Sequence, residues 1–318
     1  MKSKYEIDLL VTVARMYYVE GLKQEQIAKK VNVSRSLISL ILTEAKELGV
    51  VDITIHDPRG NNEELTEDFK TRFKLEKVFV VPTSIQEQDF RLGLAVRRGI
   101  EIFNSVIKEG NTIGISWGRT IYRFMSEYSS KTIFEGLKIF PLVGSSDRSL
   151  KRYQMNEVVR QFSEKVYGTA KFIHAPIFPV SKEDRDLYMS SSALQSIAEL
   201  WRNIDVAVFS IGAPPQQYRD IISESIERGD HFTEKVAELA VGDICARFFD
   251  ARGQFIQDEI ADLTIAVPVD SLSRAKTKLC IVSGDHKISS IIGGLFSGLV
   301  DILVIDETTA RKVLHRMA

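Results

Sequence analysis

The chain has few of the features that mark secreted or membrane proteins. Its 318 residues include only two cysteines, Cys245 and Cys280, which have no metal-like spacing and lie in apolar segments where free cysteine behaves as a small hydrophobe. No apolar run approaches the roughly 18 residues that a membrane helix needs. The N-terminus MKSKYEIDLL carries acids early, unlike a secretory signal. We therefore expect a cytoplasmic protein with no membrane partner.

Catalytic and metal-binding patterns are also missing. The five histidines are dispersed, with no H-x-x-x-H pair, and no nucleophile elbow is present, so we read all five as structural or surface residues. We expect no catalytic residue, no metal and no cofactor. The net charge of −1 does not indicate nucleic acid by itself, and the first 60 residues hold nine basic and eight acidic side chains. The composition, 44% hydrophobic and 27% charged, is that of an ordinary globular chain long enough for two domains.

The strongest local pattern lies at residues 24–42, QEQIAKKVNVSRSLISLIL, which predicts a helix-turn-helix. Asn32 stands at the turn, where the backbone is usually left-handed and Asn is tolerated. Ser34 can cap the second helix with its hydroxyl. The apolar positions that would close the small core are Ile27, Val31, Val33, Ile38 and Ile41. An αα-hairpin that merely packs against its neighbours is the alternative.

If the second helix begins at Arg35, its first residues point outward together, as in a recognition helix. The candidate DNA contacts are Lys29, Lys30, Ser34, Arg35, Ser36, Ser39 and Thr43. Such a basic patch would bind weakly as one copy, so we expect a homo-oligomer on a double-stranded DNA operator.

The pattern changes near residue 58, and we predict a DNA-binding domain over 1–57 and a second domain over 58–318. Residues 5–20 read as a supporting helix. Residues 50–55 alternate between apolar and polar side chains, which predicts a short strand that could form a wing or a dimer contact. The Pro- and Gly-containing linker 56–62 follows it.

Beyond the linker, short apolar strands alternate with helices such as 89–108 and 156–167. This alternation predicts an α/β domain with an open, mostly parallel, doubly wound sheet, in which ligands bind beyond the carboxyl ends of the strands. The predicted strands are 77–81, 112–115, 137–143, 171–174, 204–210, 263–267, 278–283 and 302–305.

Five loops after these strands are candidate ligand sites. In 112–124 a strand ends at Ser116 and a helix begins near Arg119, which offers backbone amides and a guanidinium to an anion. The loop 141–150 offers hydroxyls and a carboxylate, although a capped turn opening the next helix explains it better. The loop 210–215 allows a close approach at Gly212, which a tight turn before two prolines explains equally well. Asp243 lies in a buried run, where an unpaired carboxylate is costly, so it needs a fixed donor or sugar hydroxyls. Lys287 could meet a phosphate or be a solvated surface lysine.

Four segments together resemble the SorC/DeoR family of sugar-sensing bacterial transcriptional regulators. They are the helix-turn-helix, GISWGRT at 114–120, AVGDICARFFDARG at 240–253 and GGLFSGLVDILVIDETTA at 293–310. The resemblance covers essentially the whole chain. It implies a C-terminal domain with the fold of sugar-phosphate isomerases such as glucosamine-6-phosphate deaminase, beside a small all-α winged helix-turn-helix domain. It also implies a dimer or tetramer.

The resemblance further implies a phosphorylated sugar or sugar alcohol as effector, with phosphate held by the turn around Gly118. Carried over by motif, the effector-binding candidates are Ser116, Gly118, Arg119, Thr120, Gly144, Ser145, Gln154, Asn156, Arg228, Asp243 and Lys287.

Three positions depart from the family pattern. Leu40 follows Ser39 where the family commonly has arginine, so one DNA contact is missing. Arg119 stands where a second threonine is usual, which favours a more anionic ligand or fills part of the pocket. Some members carry a lysine just before the glycine of the 141–150 loop that bonds covalently to the open sugar. Here Leu142 or Val143 occupies that neighbourhood, so we expect no Schiff base.

These patterns favour an effector-controlled DNA-binding regulator of a carbohydrate operon. The alternative is a sugar-phosphate isomerase or deaminase with an accessory N-terminal domain, which would need general acid and base groups in the pocket. Asp243 could be one, and no partner for it is evident. A scaffold with a dead ligand site is the third possibility.

Overall fold

The structure, a computed structural model, describes residues 4–51, 53, 60–129, 132–145, 154–213 and 234–317. The chain divides into two compact units, residues 1–58 and 59–318. Among the described residues, no helix combines the length and apolarity required to cross a bilayer.

The first unit is a three-helix bundle made of α1 (Ile7–Tyr18), α2 (Gln24–Lys30) and α3 (Arg35–Glu47). Asn32 has φ 54° in the turn, and the Ser34 hydroxyl accepts the Leu37 N–H at 3.2 Å. The helix-turn-helix expected at 24–42 is therefore present, with the predicted turn residue and cap. Its core is closed by small and branched side chains: Leu10, Val13, Ala14, Ile27, Ala28, Ile38, Ile41, Leu42 and Ala45. Of the strand expected at 50–55, positions 52, 54 and 55 lie outside the described residues.

The second unit alternates strands and helices along its whole length. Its elements are α4 (Glu63–Phe73), β1 (Lys77–Val81), α5 (Gln88–Val106), β2 (Thr112–Ile115), α6 (Arg119–Glu127), β3 (Lys138–Pro141), α7 (Met155–Lys165), β4 (Thr169–Ala170), α8 (Lys182–Ser190), α9 (Ser192–Arg202), β5 (Val206–Phe209), α10 (Glu234–Leu239), β6 (Gly242–Ile244), β7 (Arg247–Phe249), α11 (Glu259–Leu263), α12 (Val269–Ser273), β8 (Thr277–Val282), a 3₁₀ turn (Asp285–Lys287), α13 (Ile288–Phe296), β9 (Ile302–Asp306) and α14 (Glu307–Met317).

Seven of the strands form one sheet in the order β1-β9-β8-β5-β2-β3-β4, and every neighbouring pair is parallel. From β2 the chain winds outward through β3 to β4, and from β5 it winds the opposite way through β8 to β9. The winding direction therefore reverses between β2 and β5. In doubly wound sheets such a switch point opens a crevice at the carboxyl ends of the strands.

Helices cover both faces of this sheet, because β5 and β9 are buried along their full length. The layer of α5, α6 and α7 is held by an aromatic cluster in which Phe103, Phe124, Tyr128 and Phe162 lie within 6.3 Å of one another, ring centre to ring centre. The predicted α/β class with a doubly wound, parallel sheet is correct.

Two of the predicted strands are wrong. In place of 171–174 the sheet ends at β4, because the Asn156 carboxamide binds both the N–H and the C=O of Ile173 (3.0 and 2.8 Å) and takes that residue out of the ladder. Residues 264–267 are buried and form only an isolated antiparallel bridge, Ala266 with Val143. The carbonyls of Thr264, Ala266 and Val267 accept hydrogen bonds from the Arg247 guanidinium, so the segment does not extend into a longer strand.

The segment read as a loop at 240–256 contains an antiparallel hairpin, β6 paired with β7. Its two-residue turn, Cys245 and Ala246, has φ 52° and 60°. Both residues adopt the left-handed region without being glycine, a conformation that costs about 1–2 kcal/mol per residue. The Asp243 carboxylate helps to hold this turn, since it accepts the Ala246 N–H at 3.0 Å.

Gly253, which closes the same segment, supplies a test of the packing. It has φ 78°, and a β-carbon there would lie 2.4 Å from the Ser297 nitrogen and 2.7 Å from the Gly293 oxygen. We expect Gly253→Ala to lower the free energy of unfolding by about 2 kcal/mol more than Gly110→Ala, because it adds overpacking against backbone to the conformational cost. Gly110 is the matched control, with φ 74° and open space around it. Urea denaturation of both variants measures the difference, and equal losses would contradict the packing argument.

Candidate functional site

The turn after β2 lies at the switch point and opens α6 without a side-chain cap. Gly118, the residue before the helix, has φ 105° and leaves the first amides of α6 without a side-chain acceptor. Such an N-terminus carries a partial positive charge and attracts anions. The Ser116 amide donates to Val208 O of β5 at 3.0 Å, which ties this turn to the neighbouring strand across the crevice.

Asp243 lies beneath this turn and is 4% exposed. Besides the Ala246 N–H, its carboxylate accepts a hydrogen bond from the Trp117 side chain. A β-carbon on Gly212 would lie 1.8 Å from Asp243 Oδ1, so residue 212 in the loop after β5 must be glycine. Burial raises the pKa of Asp243 to about 6, while the Ala246 amide, the Lys287 charge and Trp117 act in the opposite direction. The donor expected for this carboxylate is therefore supplied by the protein.

Lys287, at the end of the 3₁₀ turn after β8, has its ammonium enclosed rather than solvated. Its Nζ donates to Ile211 O of the loop after β5 at 2.8 Å. Burial lowers its pKa to about 8, Asp243 opposes that shift and Arg119 adds to it. The alternative of a surface lysine is therefore excluded.

The imidazole of His286 lies near Lys287 and Arg119, and the charges of both residues act on it. Burial is the main cause that lowers the pKa of His286, and both neighbouring cations lower it further. The His286 Nδ1 lies 3.2 Å from Gln88 Nε2. His286 therefore lies at the edge of the candidate site, a position that the sequence did not indicate. An anion would relieve the repulsion between the charges of Lys287 and Arg119.

Of the other candidates in the turn after β2, Thr120 and Ser116 are buried and Gly118 and Arg119 are exposed. The Ser116 side chain hydrogen-bonds with the Cys245 thiol of the hairpin turn. Its hydroxyl therefore helps to join the turn after β2 to the hairpin that carries Asp243. A small recess lined by Ser116, Trp117, Gly118, Tyr122 and residues of α7 opens next to it.

The loop after β3 borders the same edge, but its backbone amides are already hydrogen-bonded to carbonyls of the protein. Gly144 N donates to Ile265 O and Ser145 N to Ala175 O, at 2.9 and 2.8 Å. A β-carbon on Gly144 would lie 2.7 Å from Pro176 O, so close packing explains this glycine. The carboxamide of Asn156 is occupied by Ile173, which argues for a structural role, whereas Gln154 begins α7 without capping it. Arg228 lies outside the described residues, as do 146–153 of this loop.

A buried charge network that the sequence did not reveal holds the turn carrying His286 and Lys287. The Arg91 guanidinium, on α5, contacts Asp306 Oδ1 and Asp285 Oδ1, both at 3.1 Å. Lys312 of α14 binds the other oxygen of Asp285. Arg91 therefore fixes the 3₁₀ turn through its contact with Asp285. The only sequence signal was an arginine in the otherwise apolar face of a long helix.

In the first unit, all seven candidate DNA contacts are solvent-exposed: Lys29, Lys30, Ser34, Arg35, Ser36, Ser39 and Thr43. Arg35 is 3.6 Å from Glu25 of α2, an exposed pair that the sequence order did not suggest. Leu40, 58% exposed on α3, leaves an apolar side chain on the face expected to read bases. The Thr43 hydroxyl donates to Ser39 O and remains accessible. The face is therefore open to a ligand, as a recognition helix requires.

The arrangement at the sheet edge is suited to binding an anion and offers little for catalysis. The described residues contain no group of histidine, cysteine and carboxylate side chains that could hold a metal ion. Asp243 and Lys287 are each held by protein partners.

We expect Arg91→Met to destabilise the second unit by about 3–5 kcal/mol, because it leaves the fully buried Asp306 carboxylate without its cation. The side chains of Arg91 and Asp306 are 2% and 0% exposed. Arg97→Met is the matched control on the same helix, since Arg97 is 52% exposed in a 3.7 Å pair with Glu127 and should cost less than about 1 kcal/mol. Chemical denaturation compares the two, and a small loss for Arg91→Met would show that the network does not support the fold.

Comparison with known proteins identifies the family. A family model described as "Putative sugar-binding domain" matches residues 57–315. The chain is 28% identical to the deoxyribonucleoside regulator of Bacillus subtilis, covering 96% of this chain and 97% of that protein. It is 26% identical to the sorbitol operon regulator of Klebsiella pneumoniae, over 99% of this chain and 100% of the relative.

Solved structures agree. The full-length sorbitol operon regulator SorC from Klebsiella pneumoniae superposes with a TM-score of 0.70 at 25% identity, over 97% of this chain and 99% of that one. A transcriptional regulator from Streptococcus pneumoniae gives a TM-score of 0.75 at 25% identity, over 80% of this chain and 97% of the other. These relatives are regulators rather than enzymes. The chain belongs to the SorC/DeoR family of sugar-binding transcriptional regulators.

Proposed function

We propose that this protein is a DNA-binding regulator of a carbohydrate operon, and that a phosphorylated sugar or sugar alcohol bound at the switch point controls its affinity for the operator. The observation that carries the proposal is the pair of cations at one sheet edge, Arg119 and Lys287, with the imidazole of His286 beside them and the uncapped N-terminus of α6 next to them. A phosphate dianion would neutralise their mutual repulsion.

The rest of the site suits the polyol part of such a ligand. Asp243 and the small residues around Gly212 and Gly144 border the crevice with oxygen acceptors and little bulk. Hydroxyl groups of a sugar can donate to Asp243, which has lone pairs beyond those used by Ala246 and Trp117.

Control of DNA binding follows if the effector favours one arrangement of subunits over another. A single basic patch as modest as that of α3 binds weakly, so the working form is a homo-oligomer, a dimer or tetramer, in the cytoplasm. In this proposal the effector acts through the spacing of the recognition helices on the operator.

Phosphorylated pentoses, hexoses and polyols should raise the melting temperature of the wild-type protein, whereas their unphosphorylated forms should not, since the cations recognise the phosphate. Lys287→Met should weaken the best effector by at least about tenfold, the effect of one lost charge-assisted hydrogen bond. Lys108→Met, at an exposed lysine, is the control and should bind normally. Stabilisation that survives in Lys287→Met would remove Lys287 from the site.

Effector affinity should fall between about pH 7 and about pH 9. Lys287 has a lowered pKa of about 8, so its ammonium is present below that pH and is lost above it, together with its attraction for phosphate. In this window Asp243, with a pKa of about 6, is already ionised and His286 is neutral. Calorimetric titration at each pH measures the change. A pH profile that is unchanged in Lys287→Met would assign the effect to another group.

Arg35→Ala combined with Ser39→Ala should reduce binding to a selected operator duplex by at least about tenfold in gel retardation, because base and phosphate contacts are lost. The effector-induced rise in melting temperature should stay intact, since it arises in the other unit. Arg15→Ala removes an exposed arginine from α1 and serves as the control. Full operator binding by the double variant would refute the assignment of α3.

A further inference from the structure

A second cavity, of about 380 Å³, lies on the outer side of the β6–β7 hairpin and shares no lining residue with the recess beside Ser116. It is bordered by α8, by the hairpin and by the chain from Phe255 to Asp270. Four apolar side chains form much of its wall: Phe248, Phe255, Ile256 and Val269. Its volume is in the range of pockets that hold small organic molecules. Its polar lining is formed by Arg185, Arg247, Gln257 and Asp270, and the Asp270 carboxylate is paired with Arg274 at 3.0 Å.

Two guanidinium groups face this cavity, and the first belongs to Arg247. It donates to Ala261 O and Ala266 O at 2.9 Å, and its contacts to Thr264 O and Val267 O are longer, at 3.4 Å. These acceptors are neutral carbonyls, and no carboxylate forms an ion pair with Arg247 among the described residues. Burial and the charge of Arg185 lower its pKa to about 10, so it is still a cation at neutral pH.

The second guanidinium is that of Arg185 on α8. Its Nε is buried and has no hydrogen-bond partner within the described part of the chain. Its other described contact is an exposed pair with the adjacent Asp186, at 2.9 Å. A buried N–H without an acceptor costs about 1–3 kcal/mol, and two cations that face each other add repulsion. Both costs are relieved by an acceptor that carries negative charge.

We propose that this cavity is a second ligand site, for a small organic anion whose charged group meets Arg185 and Arg247 and whose apolar body packs on Phe248 and Phe255. The aromatic rings favour a ligand with an apolar body, and the guanidiniums favour one that carries negative charge. The site is separate from the effector crevice, and the hairpin turn between Asp243 and Arg247 forms a wall of each.

Anilinonaphthalene sulfonate, an aromatic anion, is a suitable probe, titrated calorimetrically into the full chain. We expect one saturable site per chain. Arg185→Gln should weaken it by about tenfold, the effect of losing one charge-assisted contact. Arg202→Gln, at an exposed arginine of the next helix, should bind the probe as the wild type does. Arg185 is preferred to Arg247 for this test because Arg247 also holds backbone carbonyls.

Two further variants locate the probe. Ala261→Phe should abolish binding by filling the cavity while the melting transition stays cooperative, and Lys287→Met should bind the probe normally. Equal binding by wild type, Arg185→Gln and Ala261→Phe would overturn the proposal. So would displacement of the probe by a sugar phosphate together with loss of binding in Lys287→Met, since that would place it in the effector crevice. None of these outcomes depends on DNA binding, and the comparison of Arg185→Gln and Ala261→Phe with the wild type does not depend on a response to sugar phosphates.

Discussion

The enclosed ammonium of Lys287 is the constraint around which the C-terminal unit is arranged. A cation placed where three chain segments meet must be held by nearby dipoles and charges, and here a carbonyl of the loop after β5 and the carboxylate of Asp243 do so. Because burial still lowers the pKa of Lys287 to about 8, this compensation is incomplete. The positive charge of Lys287 is therefore only partly compensated by the protein, which is the physical basis of the proposal that this site binds an anion.

Much of the N-terminal unit could be predicted because its determinants are local. The turn at Asn32 and the cap at Ser34 act within four residues, and the hydrophobic period of α3 requires only its own sequence. What the sequence could not show was the pairing of Arg35 with Glu25, which depends on how α2 and α3 cross. In the same way, the parallel sheet followed from alternating strand and helix patterns, and the rule that ligands bind beyond the carboxyl ends of the strands directed attention to the loops that carry Asp243 and Lys287.

The errors arise where side chains from distant segments replace backbone pairing. Residues 264–267 form only an isolated bridge to Val143, because the Arg247 guanidinium binds the Thr264 and Ala266 carbonyls that point away from that bridge. Residue type and spacing carry no signal for such a contact. The buried ion pairs of Arg91 were missed for a related reason. Its partners Asp306 and Asp285 are 215 and 194 positions away in the sequence. The site residues themselves came from motif resemblance and local turn chemistry, and their contact with a ligand stays a prediction.

The indole of Trp117 has a practical consequence. The chain contains two tryptophans, and the other, Trp201, is 1% exposed and bonded to Pro141 O at 3.0 Å. Trp117 is half-buried at the switch point, and its side chain hydrogen-bonds to the Asp243 carboxylate, which also binds the hairpin turn. Intrinsic emission of this protein thus divides into a constant part from the core and a part that senses the crevice. Replacing Trp201 by phenylalanine would leave Trp117 as the single tryptophan, whose emission would report occupancy of the proposed effector site without any attached dye.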